Sequence, residues 1–207
     1  MNLNIPYLET DNKLLNDAYR IAAGDIVGNI VYYQNGLLTE EKPCMIAGLD
    51  YNTPWTRDTA INIWNALSIL SPEVSKNTLL AVLEEEEGNI YIGGQYWDSI
   101  IWMIGAREYC RFHKDDNFYR LAFEAGRNSV HRLEEDEFDE EDGLFRGPAV
   151  YGDGIAAYPD KYSKCPNQGS GILEWVDYPG NPVYPKGYGI PMKALSTNCV
   201  YFKAYEI

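Results

Sequence analysis

The chain has 207 residues and a formal net charge of -14, and 14% of its residues are aromatic, including 17 Tyr and 5 Trp. That charge repels a phosphate backbone, which excludes nucleic acid as a partner, while the length allows one sizeable core in one domain or at most two. Aromatic content this high fits either a large helical core or a surface that stacks on flat ligands.

Taken in order, residues 11–33 place Leu14, Leu15, Ala18, Tyr19, Ala22, Ile26, Ile30 and Val31 on one face, which predicts a long amphipathic helix. Gly24 and Gly28 weaken it by about 1 kcal/mol each relative to Ala. Residues 34–54 carry Gly36, Pro43, Gly48 and Pro54 among polar and aromatic residues and read as loop with room for a short strand. Pro54 stops any preceding helix, Thr56 or Asp58 can cap a new one, and Ile61, Trp64, Ala66, Leu67 and Leu70 recur at helical spacing over 58–70. Ser71-Pro72-Glu73 is a second start signal, with Ser as cap, Pro at the first helical position and an acid in the first turn; it predicts helix over 72–86. Helix, tight turn and helix make an αα-hairpin. The acidic run 84–87 then falls at a helix end closed by Gly88, as a solvated terminus.

The loop 89–96 leads into an apolar helix over 97–109, where Asp98-Ser-x-Ile echoes Asp58-Thr-x-Ile. Asp115 or Asp116 caps the next helix, which holds Phe118, Leu121, Ala122, Ala125, Val130 and Leu133 on one side and breaks down in the acidic stretch 134–142. Residues 143–191 are rich in Gly, Pro and aromatics; a loop of that length is functional or disordered, and its aromatics argue against disorder. A last helix begins near Pro191 or Ser196, with Leu195, Val200, Tyr201 and Tyr205 in period, and runs uncapped to the end of the chain. Every second helix is preceded by a long aromatic and polar loop. This order predicts an all-α toroid of αα-hairpins, in which the leading loops converge on one face.

An indole, a guanidinium and a carboxylate gathered at a helix start, as in Trp55, Arg57 and Asp58, suit a sugar: a flat apolar face for the ring, and a rigid donor fork beside an acceptor for hydroxyls. A cap needs no indole, and the set recurs at Tyr96, Trp97 and Asp98, so these six residues are candidate substrate contacts. Gly152-Asp153-Gly154 is either a common turn sequence or a carboxylate on a loop whose neighbours Tyr151 and Tyr158 can exclude water and tune it as a general acid. The triplet also fits the loose pattern G-x-G-x-x-A over 152–157, but Pro159 stands where a phosphate-binding helix would run, which rejects a dinucleotide site. Glu174 and Asp177 are rival acids in weaker contexts. His113 and His131 lie on hairpin helices away from the loops, which disfavours an isomerase or epimerase that needs a His base.

Cys44, Cys110, Cys165 and Cys199 are widely spaced with no His at ligand spacing, so reduced, mostly buried thiols are expected, with no metal and no cofactor. The first ten residues lack a basic and apolar leader, and no apolar run approaches about 18 residues; the expectation is a cytoplasmic protein with no membrane contact.

Trp55-Thr-Arg-Asp-Thr-Ala-Ile61, the Tyr96-Trp-Asp-Ser-Ile-Ile-Trp102 turn into the next apolar helix, and the segment 144–159 together resemble the six-hairpin glycosidases, in their glucosidase and debranching-enzyme-like branches. The resemblance implies an (α/α)6 toroid and an inverting hydrolysis of α-linked glucosides, with an oligosaccharide or glycoside as the substrate. Within it, Arg57 and Asp58 would hold sugar hydroxyls, Trp97 would line the same subsite, and Asp153 would be the proton donor. Inversion needs a second carboxylate about 6.5–9.5 Å from the first to activate water. The resemblance puts that base beyond Ile207 and makes residues 1–207 the N-terminal half of a single catalytic domain, with about six of twelve helices. It also implies an apolar flank through which copies self-associate. The alternative is an inactive carbohydrate-binding or interaction fragment.

Overall fold

The computed structural model describes residues 5–48, 50–94, 97–147, 149 and 193–207. The candidate residues Tyr96 and Asp153, the acids Glu174 and Asp177, and Cys165 lie outside them.

The architecture is mixed α/β and not an all-α toroid: among the described residues 57% are helical and 14% are in strands, with six helical segments and three small antiparallel sheets. Strands replace expected helix at 30–33 and 83–86 and expected loop at 89–92, and the short strand allowed for within 34–54 forms at 42–45. Helix α1 (Lys13–Gly28) does not continue to residue 33, because Gly28 ends it and the β-branched and aromatic run that follows forms β1 (Ile30–Tyr33). This strand pairs antiparallel with β2 (Lys42–Met45), Ile30 opposite Met45. The acidic run is likewise no helix end. It forms β3 (Leu83–Glu86), which a turn at Glu87-Gly88, both at positive φ, joins to β4 (Asn89–Ile92). Two positive-φ residues are what a two-residue hairpin loop requires. A third pair, β5 (Phe138–Asp139) and β6 (Leu144–Phe145), follows the long helix α6.

The helix that opens at Thr56 runs in three pieces: α2 (Thr56–Asn62), a π-helical turn (Ile63–Leu67) and α3 (Ser68–Leu70). Neither Thr56 nor Asp58 caps it; Trp55 occupies the cap position with extended backbone, and Asp58 sits in the first turn. Trp64, expected on the apolar face, is 48% exposed. Helix α4 (Pro72–Ala81) starts at Ser71 as expected, and its Thr78 hydroxyl accepts the Met45 N–H at 3.0 Å, which docks β2 on it. Helix α5 (Asp98–Phe112) is followed by α6 (Asp116–Glu137), whose cap Asp115 accepts from the Phe118 N–H at 3.0 Å. Helix α7 (Leu195–Tyr205) ends two residues before the chain does.

Helix α5 is the centre, because its apolar residues surround it instead of forming a single stripe. One side contributes Trp102, Ala106 and Tyr109 to a core with Ile63, Leu67, Val74, Leu79, Leu83 and Phe118. The other contributes Ile100, Ile101 and Ile104 to a second core with Ala60, Val130, Phe145 and Tyr201. There Phe145 and Tyr201 stack with centroids 3.6 Å apart. Lys193 bonds Asp139 at 2.7 Å and Asp142 at 2.6 Å, tying α7 to the β5–β6 hairpin and holding the Asp139 carboxyl down to about 2. Of the cysteines, Cys44 is buried, Cys110 is half-buried and Cys199 is exposed. Among the described residues no helix is long and apolar enough to cross a membrane.

Candidate functional site

Helices α2 and α5 pack closely because their crossing point carries almost no side chain. A Cβ at Gly105 would lie 2.8 Å from Ala60 Cα and 2.9 Å from Ala60 O. This contact brings the two helix N-termini side by side. The end of β4 is then clamped between them: Thr56 Oγ1 donates to the Gly93 carbonyl at 2.8 Å, Ser99 Oγ donates to the Ile92 carbonyl at 3.1 Å, and the Ile92 N–H donates to Ser129 Oγ at 2.9 Å.

The two look-alike sequence stretches therefore meet in space. The Arg57 guanidinium lies between two indoles, 5.5 Å from the Trp55 ring and 5.3 Å from the Trp97 ring. Such contacts contribute about 0.5–2 kcal/mol each, more where water is excluded. Its charge faces two carboxylates, Asp98 Oδ1 at 3.6 Å and Asp58 Oδ2 at 4.0 Å. Arg57 is held on four sides with its side chain only 18% exposed, so its donor fork is pre-oriented. Tyr51 extends the aromatic wall, edge-on to Trp55 with centroids 6.1 Å apart.

The five described candidates divide by depth. Trp97 is 2% exposed and Asp98 1%, so both form the backing of the site. Trp55 and Arg57 are partly exposed, and the Asp58 side chain is 39% exposed; these three face outward. Asp98 is covered by Gly94, whose φ of +114° brings the backbone so close that a Cβ would lie 2.7 Å from both Asp98 Cβ and Oδ2. The Trp55 indole N–H is buried and makes no hydrogen bond among the described residues. A buried donor in that state is suited to a ligand oxygen.

Beside this cluster lies a cleft of about 340 Å³, whose lining includes Trp55, Thr56, Asp98, Thr53, Glu84 and Gly94. Its size falls within the range of small-ligand pockets, about 300–1,000 Å³. Glu84 is the residue that sequence reasoning misplaced. In β3 it remains exposed, as at a helix end, but its carboxylate reaches within 2.5 Å of a Cβ position on Gly93, at the cleft wall. The signal was present in Glu87-Gly88 followed by Asn89-Ile-Tyr-Ile92, a turn pair before a β-branched and aromatic run. The two histidines stay away from this site: His113 Nε2 meets the Ser68 carbonyl at 2.6 Å, and His131 meets Glu134 at 3.0 Å.

Comparison with family models, with curated proteins and with solved structures finds no match to this chain.

Proposed function

We propose that the chain binds a glycoside at the start of α2 and hydrolyses an α-glucosidic bond there. The observation that carries this reading is the Arg57 guanidinium fixed between the Trp55 and Trp97 indoles and two carboxylates, beside a cleft. A pyranose offers an apolar face and a ring of hydroxyls, and this arrangement matches both. Trp55 supplies an aromatic face and a buried N–H donor, Arg57 a fixed fork of donors, and Asp58 an exposed acceptor. Trp97 and Asp98 hold Arg57 in place from behind.

In this proposal Asp153 protonates the leaving oxygen while a second carboxylate activates water. Glu84, at the cleft wall, is a candidate for that second role from within the chain. Asp98 is unsuited to it, because it is buried against Arg57.

The test has two parts. Titration with maltose or isomaltose should perturb tryptophan fluorescence, and Arg57→Lys, which keeps the charge and loses the fork, should weaken binding by about tenfold or more. Glucose release from the same sugars should be abolished by Asp153→Asn. Absence of any sugar binding by the unaltered chain overturns the proposal; activity that survives Asp153→Asn overturns the assigned mechanism. Binding without glucose release instead supports a carbohydrate-binding module, a reading favoured by the recognition character of the described side chains.

A further inference from the structure

Among the described residues, two surfaces lack the covering that their composition calls for. The first is α1: not one of its 16 residues is buried. Leu14 is 81% exposed and Ile21 62%, and nothing lies within 4 Å of where a side chain at Gly24 or Gly28 would begin. Leu14, Ala18, Ile21 and Asp25 recur at spacings of three and four residues, so they form one exposed stripe with a carboxylate at its end. Ile26 alone of its apolar residues packs against the main core, and a helix of this length with so little tertiary packing is marginal in water.

The second is a groove of about 500 Å³ between α5, α6 and α7. Small and flexible apolar residues, Met103, Ala106 and Ala122, line it, while Phe123 and Tyr119 are 58% and 54% exposed. Arg107, Arg111 and Arg127 also line it. Arg111 is engaged by Glu108 at 2.9 Å, but no carboxylate lies within 4.0 Å of Arg107 or Arg127 among the described residues. Glu134 also lines the groove and Glu206 acts on Arg107, which leaves Arg127 as the cation of the wall with no carboxylate in reach among the described residues; an apolar groove with such a cation selects an apolar surface that carries an acid. The lengths also agree: the α6 wall from Tyr119 to Glu134 and α1 each span 16 residues, about 24 Å at 1.5 Å per residue.

We infer that α1 of one copy docks in the α5–α6–α7 groove of a second copy, with Leu14, Ala18 and Ile21 on the apolar floor and Asp25 facing Arg127. The inference is independent of what the α2 cleft binds. It is tested by sedimentation equilibrium of the full chain over a concentration series. The unaltered chain should self-associate, and Ile21→Glu on the helix and Phe123→Glu in the groove should each lower the association constant at least tenfold. Both positions are exposed, so the fold should persist, as circular dichroism and urea unfolding of each variant would verify. Arg127→Glu should weaken association, and adding Asp25→Lys should restore it. A chain monomeric at every concentration overturns the inference. So does association that Phe123→Glu abolishes and Ile21→Glu leaves intact, which would mean a different occupant, and so does a charge swap that fails to rescue.

Discussion

Helices α2 and α5 begin with nearly the same letters and meet at the same guanidinium, yet their first carboxylates differ in surroundings. The Asp58 side chain is 39% exposed; that of Asp98 is 1% exposed. The cause lies outside both helices. Gly94 lays its backbone over Asp98, and the β3–β4 hairpin that carries it is clamped by Thr56 and Ser99. One acid is thus built into the wall and the other kept at the surface, a division that local sequence does not express.

The largest expected effect follows from that burial. Asp98→Ala removes the 1% exposed carboxylate that faces Arg57 at 3.6 Å, and removing one partner of a buried pair costs about 3–5 kcal/mol. Urea unfolding should show the loss as a lower midpoint; a loss below about 1 kcal/mol would break the contrast between the two acids. Gly94→Ala comes next, at about 2 kcal/mol, because φ +114° disfavours a Cβ and the new atom would press on Asp98.

Cys44 is a weak acid that is fully buried. Burial pushes the Cys44 thiol up to about 12, against a smaller opposing hydrogen bond from Thr78. The folded thiol stays protonated where the unfolded one ionises, so its contribution is complete below the unfolded value of 9.0 and declines as pH rises toward 12. Between pH 8 and pH 10 the unaltered chain should lose about 1 kcal/mol more stability than Cys44→Ala. An equal loss in both proteins would remove Cys44 as the cause. The smallest effect on stability belongs to Asp58→Asn, within about 0.5 kcal/mol, since the side chain faces water. If Asp58 is a sugar contact, the same variant should weaken maltose binding by about tenfold.

Much of the candidate site was legible in sequence because its signals are local. An aromatic residue before a helix start, and an acid within the first turn, mark Trp55, Arg57, Asp58, Trp97 and Asp98 without knowledge of the fold, and the structure brings these five together. Glu84 was not legible. In four consecutive glutamates nothing distinguishes the one whose carboxylate turns to the cleft until the register of Leu83 opposite Ile92 is set. Trp64 failed for a related reason: it is apolar and in helical period, yet the second element needed to cover it is not there among the described residues, and it stays 48% exposed.

The sequence by itself determined where the helices near Thr56, Pro72, Asp98 and Asp116 begin, since Pro72 at the first helical position, the cap Asp115 and the first-turn acids Asp58 and Asp98 act within a few residues. Only the tertiary structure decided that 30–33 and 83–86 are strands and not helix, paired with 42–45 and 89–92, which makes the fold mixed α/β. A strand is stabilised by a partner that can lie far along the chain and by the core its side chains enter, as Leu83 and Ile92 do beside Leu79 and Trp102. The same dependence on distant packing assigned Asp98 to the interior and Asp58 to the surface.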